Sequence, residues 1–197
     1  YEQAADILHT VVILGFVISI LTGWITYLNL GVVLYFFGAS EATLPYAREY
    51  IGILLCANPI TFLFLSLNNL LRGNGFPQKS LESTLLTVGL NLVLTPIFIF
   101  VFEFGIKGAS MSTVISQVVG LVWVVRHFSS KSNKIHFQRS RFRCNFRLSG
   151  EIMKLGTPPF ILNLCSASIS IALINRFGFY GGDFAIGAYG IVSRIYM

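Results

Sequence analysis

From Val11 to Phe37 the chain carries no charged side chain, and the run is longer than the about 20 apolar residues that cross the hydrocarbon core of a bilayer as one helix. A helix lying on the surface of a water-soluble domain needs a polar face, and this stretch has none to offer. It is therefore expected to span a membrane. Further apolar runs follow at Ile51–Leu71, Leu85–Phe102, Gly108–Val125 and Pro158–Asn175, and a sixth starts near Phe184 and is cut off by the chain end. Composition agrees: 54% of residues are hydrophobic and 11% charged, with a mean hydropathy of +0.73, against about 25% charged in ordinary soluble domains. Eight acids and fourteen bases are too few to build the polar shell of a water-soluble fold. The expected fold is an all-α membrane protein, a polytopic helix bundle with five complete spans and part of a sixth.

Residues that favour turns and caps join the runs: Gly38-Ala39-Ser40-Glu41, Arg72-Gly73-Asn74-Gly75-Phe76-Pro77 and Gly181-Gly182-Asp183. Tyr1–Thr10 reads as the tail of a loop entering a helix, and Met197 falls within an apolar run, so the sequence is expected to be an internal piece of a longer protein. The net charge of +6 would raise nucleic-acid binding for a soluble protein, but here most of it lies between Arg126 and Gly156. That segment holds Arg126, Lys131, Lys134, Arg139, Arg141, Arg143, Arg147 and Lys154 against Glu151 alone. Basic loops stay on the cytoplasmic side of a membrane, which places this segment inside. By alternation, Arg72 and Lys79 fall inside too, and Arg48, Lys107 and Arg176 outside. The bias is coherent, and retention in the cytoplasm with contact to anionic lipid explains it without nucleic acid.

Polar side chains within the spans fall in stripes. Thr84, Thr87, Asn91 and Thr95 recur every three or four residues, which stacks them on one helix face. Gly108, Ser112, Ser116 and Gly120 form a small-residue seam of the kind that lets another helix approach closely, with Thr113 and Gln117 beside it. The second run carries Asn58, Thr61, Asn68 and Asn69 with Pro59. The fifth carries Asn163, Ser166, Ser168 and Ser170 after Pro158-Pro159. Any one of these could be an interhelical hydrogen bond. As a group, Asn91, Thr95, Thr113 and Gln117 offer neutral oxygens suited to a hard cation such as Na⁺. Asn58, Gln117 and Asn163 are candidate cavity-lining residues.

Catalytic chemistry has no foothold. The sequence shows no Asp or Glu deep in a run, no Ser/His/Asp set, no Cys/His pair and no glycine-rich phosphate loop in a suitable context. Cys56, Cys144 and Cys165 lack metal-ligand spacing with the three histidines. No cofactor is expected beyond a coupling ion, Na⁺ or H⁺. A transporter, a channel and a non-transporting scaffold remain open at this point.

The stretches FFGASEATLPYAREYIGI (Phe36–Ile53), LLRGNGFPQ (Leu70–Gln78) and NLVLTPIFIFVFEFGIKGASMSTVISQ (Asn91–Gln117) resemble the multidrug and toxic compound extrusion (MATE) transporters, and KLGTPPF (Lys154–Phe160) with AIGAYGIVSRI (Ala185–Ile195) looks like the start of that family's second lobe. The resemblance implies twelve helices in two six-helix lobes around a cavity of alternating access. Residues 1–127 would supply family helices three to six, residues 128–156 the basic cytoplasmic interlobe loop, and residues 157–197 helix seven with the beginning of helix eight.

One branch of the family has a first-lobe cation site formed by an Asp on helix one, a Tyr at the start of helix four, an Asn and an Asp four apart on helix five, and a Thr on helix six. By motif these positions are Tyr50, Asn91, Thr95 and Thr113, with Thr95 replacing the Asp. The loss of that carboxylate implies weakened Na⁺ binding or H⁺ coupling. The function implied is a monomeric, cation-coupled antiporter in the cell membrane, exporting amphipathic organic cations. A lipid-linked oligosaccharide flippase of the same superfamily and a non-transporting scaffold are the alternatives.

Overall fold

The computed structural model describes residues 2–129 and 146–196. Among these residues every regular element is a helix: α1 (Glu2–Leu28), α2 (Leu30–Phe36), α3 (Leu44–Cys56), α4 (Asn58–Gly73), α5 (Pro77–Pro96), a π-helical turn (Ile97–Val101), α6 (Gly105–Ser129) and α7 (Phe146–Tyr196). α7 is broken at Gly182, where φ is 60° and ψ −161°, a conformation that glycine adopts freely and L side chains resist.

Ile7–Leu28, Pro77–Val101, Gly105–Ser129 and Leu148–Gly182 are each long and apolar enough to cross a bilayer, and α3 with α4 supplies another span bent by 59°. The shorter apolar helix Phe184–Ser193 follows the break. The expected helix bundle is observed, with different boundaries. Tyr1–Thr10, read as a loop, is helical from Glu2, and Leu8 anchors it in a buried cluster with Phe64, Leu67 and Leu71 of α4 and Val124 and Phe128 of α6. The run Val11–Phe37 is two helices broken at Asn29. Residues 146–156 of the basic segment, read as loop, form the first turns of α7, and Arg126 lies on α6. Lys131, Lys134, Arg139, Arg141 and Arg143 lie outside the described residues, as does Cys144.

α4 ends where the glycine-rich motif predicts. Gly75 adopts φ 84°, its N–H donates to the Arg72 carbonyl, and the Phe76 N–H reaches back to Leu71. This pair of bonds closes the helix on a left-handed residue, and Pro77 then opens α5 at a position where its missing N–H costs nothing.

Contacts divide the chain into two compact units that do not follow chain order. One comprises Tyr1–Leu28 with Glu49–Ile152, the other Asn29–Arg48 with Met153–Met197. In the first unit, apolar side chains face outward. Along α5, Leu85, Val88 and Leu92 are 61%, 59% and 75% exposed, a stripe at helical spacing that water would not tolerate and lipid would.

Polar side chains point the other way. Asn68 of α4 is buried, donates its amide to the Thr84 hydroxyl at 3.0 Å and accepts from the Ser83 hydroxyl at 2.9 Å, both on α5. One helical turn on, Arg72 Nε donates to Ser80 Oγ at 2.8 Å. Asn68→Ala removes both amide bonds and should destabilise the purified protein by about 1 kcal/mol, in line with interhelical bonds in membranes. Thermal unfolding in detergent measures it, and an unchanged midpoint would show that the pair carries no net stability.

Candidate functional site, a polar seam between three helices

The small-residue seam on α6 is buried along its length at Gly108, Ser112, Ser116 and Gly120. It is small because there is no room. A Cβ on Gly108 would sit 2.7 Å from the Phe98 carbonyl oxygen, and one on Gly120 would overlap the Thr87 hydroxyl and approach Phe64 Cε2 to 2.8 Å. The seam thus brings α6 close enough to α5 and α4 for short polar side chains to bridge them.

Asn91 and Thr95, which spacing places on one face of α5, meet Thr113 of α6 here. Asn91 Nδ2 donates to Thr113 Oγ1 at 3.1 Å, and Thr95 Oγ1 donates to Asn91 Oδ1 at 3.1 Å. Thr95 Oγ1 also lies 2.7 Å from Ser112 Oγ, a residue that spacing alone places only in the packing seam. Ser112 and Thr113 both reach the Ala109 carbonyl at 2.9 Å. Each hydroxyl has one proton. Thr95 and Ser112 therefore have two protons for three acceptors: Asn91 Oδ1, the Ala109 carbonyl and each other. The cluster is a closed network of neutral groups, with four side-chain oxygens and a carbonyl at one place and no carboxylate among the residues so bonded.

Gln117 stands one turn further along α6 and accepts a 2.6 Å bond from the Thr61 hydroxyl of α4. It ties the seam to the third helix. The other candidates lie elsewhere. Tyr50 is half-buried on α3, and no hydrogen bond among the described residues joins it to the cluster. Asn58 donates to the Ser19 carbonyl at 2.9 Å and to the Thr22 hydroxyl at 3.4 Å, so it pins the start of α4 to α1 beside the 59° bend. Asn163 is exposed on α7 and turns its amide back to the Pro159 carbonyl at 2.9 Å, one turn earlier on its own helix.

No group of three or more His, Cys, Asp or Glu among the described residues is arranged to hold a metal ion. At the other end of α6, Lys107 pairs with Glu49 of α3 at 3.2 Å, both side chains about half exposed. An exposed pair of this kind contributes little stability.

Helices that turn apolar side chains outward and bond their polar side chains to one another define a polytopic membrane protein. The family model MatE matches residues 1–97. The multidrug export protein MepA of Staphylococcus aureus is 32% identical over 158 residues, 80% of this chain and 35% of the relative. Among solved structures, an inward-facing multidrug resistance MATE transporter of the MOP superfamily superposes with TM-score 0.87 at 21% identity, over 98% of this chain and 49% of that one. An outward-facing one superposes with TM-score 0.83 at 25% identity, over 99% and 44%. The chain belongs to the MATE family, a family of transporters rather than enzymes. It spans about a third of the length of the curated relatives it matches.

Proposed function

We propose that the protein containing this chain exports amphipathic organic cations across the cell membrane by alternating access, in exchange for protons rather than sodium. The similarity to multidrug export proteins supports the transport reading. The observation that carries the coupling reading is the polar cluster: Asn91, Thr95, Ser112 and Thr113 already bond to one another, and Thr95 stands where the family's cation site has an Asp. A cation held there would have to break the Thr95–Asn91 bond, and it would find only neutral oxygens from this chain to offset its charge. A carboxylate brought from elsewhere in the protein, such as the family's helix-one Asp, is then the titrating group. The basic segment between α6 and α7 lies on the cytoplasmic side in this reading. The protein works as a monomer.

Efflux of a fluorescent organic cation from cells expressing the full-length protein tests this, with and without sodium and with and without a pH gradient. Efflux should follow the pH gradient and ignore sodium, and Thr95→Ala should change it less than about threefold. Sodium-stimulated efflux that collapses on Thr95→Ala overturns the proton reading, and no efflux at all overturns transport.

A further inference from the structure

We infer that the turn Phe37–Ser40 is a clasp on α7 that is closed in one state of the transport cycle and parts in the other. The inference rests on the transport reading above. Gly38 ends α2 in the left-handed region, with φ 87°; its N–H donates to the Tyr35 carbonyl and the Ala39 N–H to Leu34, both at 3.0 Å. The absence of a side chain does more than permit this turn. A Cβ on Gly38 would stand 2.7 Å from Ile174 Cγ2 and 3.3 Å from Asn175 Oδ1, so the turn lies with its backbone directly against α7. Asn175 Nδ2 faces the Phe36 carbonyl across 3.5 Å, joining positions 139 apart in the chain.

The turn itself is stiff. Ser40 N–H donates to Thr43 Oγ1 at 3.0 Å and Thr43 N–H to Ser40 Oγ at 3.3 Å, a reciprocal cap on the start of α3. The hold on α7 is slight by comparison: one long hydrogen bond and an isoleucine under a glycine. Beside it a cavity of about 340 Å³, lined by Tyr35, Ser40, Gly178, Phe179 and Ile186, leaves α7 partly unpacked. A rigid element that meets its neighbour through a small, imperfectly packed contact can separate as a unit. The turn precedes the basic segment and α7 follows it, and in a transporter built from two halves that rock against each other a contact across that division cannot persist in both states. On the topology proposed above, this is the outer face.

Cysteines test the clasp directly. The ideal Cβ of Gly38 lies 3.9 Å from Ile174 Cβ, inside the roughly 3.5–4.5 Å window of disulfides. In the full-length protein with Cys56, Cys144 and Cys165 replaced by Ser, Gly38→Cys with Ile174→Cys should crosslink on mild oxidation. Cation efflux should then fall at least tenfold and recover on reduction, while the reduced double variant and Ile174→Cys alone stay active. A crosslink that leaves efflux intact overturns the inference, because the contact would then be static throughout the cycle. So does failure of the folded double variant to crosslink. If the unmodified protein moves no cation, the transport reading falls and the clasp with it, although crosslink yield still reports the contact.

Should Gly38→Cys not reach the membrane, Ala39→Cys serves as reporter without altering the left-handed position. Its labelling by a membrane-impermeant maleimide should rise several-fold when Ile174→Ala removes the side chain under the turn. Unchanged labelling overturns the clasp.

Discussion

Gly108→Val should leave little folded protein in the membrane. At most positions an added methyl group meets a flexible side chain that can move aside. At Gly108 it meets backbone: the Phe98 carbonyl oxygen at 2.7 Å and its carbon at 2.8 Å, with Phe98 Cβ at 3.0 Å. Phe98 lies in the π-helical turn, and its ring packs with Phe102 and Phe104 at centroid distances of 5.5 and 6.2 Å, so α6 has to retreat instead. Ser112, one turn along, would be drawn off Thr95 by that retreat, and the polar network would open. Overpacking costs about 1–3 kcal/mol where side chains can adjust, and this site lies at or above the top of that range. Yield of monodisperse protein in detergent and its thermal midpoint are the measurements. Gly89→Ala is the matched control, since nothing lies within 4 Å of its Cβ position and alanine favours a helix over glycine by about 1 kcal/mol. Wild-type yield from Gly108→Val would mean that the π-helical turn and α6 do not approach as closely as described.

On the proton-coupled reading proposed above, Thr95→Asp should make the protein respond to sodium. The new carboxylate would keep Ser112 as a donor but lose the proton that Thr95 gives to Asn91 Oδ1. Two acceptors would then face each other in a part-buried position, an arrangement that a small hard cation resolves and that is otherwise costly. Thr113 Oγ1 and the Ala109 carbonyl lie within the same network. Binding to the folded state stabilises it by about 2.7 kcal/mol at a hundredfold excess over Kd. The variant should therefore melt several degrees higher in sodium than in choline, and its efflux should rise about tenfold with sodium, while the parent protein shows neither effect. A variant as blind to sodium as its parent would mean that these oxygens do not form a cation site even when charged.

The parts of the architecture that depend on solvent were legible in the sequence, because a lipid environment leaves a one-dimensional trace in the apolar runs. The breaks were not. Hydropathy is continuous across Asn29, where α1 gives way to α2, so a composition-based reading merges the two. The apolar run Leu85–Phe102 begins well inside α5, because Lys79 and Glu82 interrupt the hydropathy; they pair at 2.8 Å across one turn, and Lys79 Nζ lies 5.8 Å from the Trp123 ring centroid. Charges satisfied in this way extend a helix rather than end it. Within the site, Asn91 and Thr95 could be found because four-residue spacing puts them on one face, and Thr113 because it stands beside the small-residue seam and matches the family motif. Thr61 as the partner of Gln117 could not, since pairing between α4 and α6 depends on how the helices cross. Asn163 is satisfied within its own helix by the Pro159 carbonyl one turn earlier, a local role that spacing does not distinguish from cavity lining.

The grouping of Asn29–Arg48 with Met153–Met197 also has a consequence for biosynthesis. When Asn29–Arg48 leaves the ribosome, the stretch it packs with has not yet been made. At a synthesis rate of roughly 5–20 residues per second, α2 and its turn wait on the order of ten seconds before Ile174 and Asn175 can meet Gly38. During that interval the segment is held by lipid and the insertion machinery, and it completes its fold only after α6 and the basic segment have been synthesised. A nascent chain halted between α6 and α7 would hold most of the first unit and none of the partner that α2 requires.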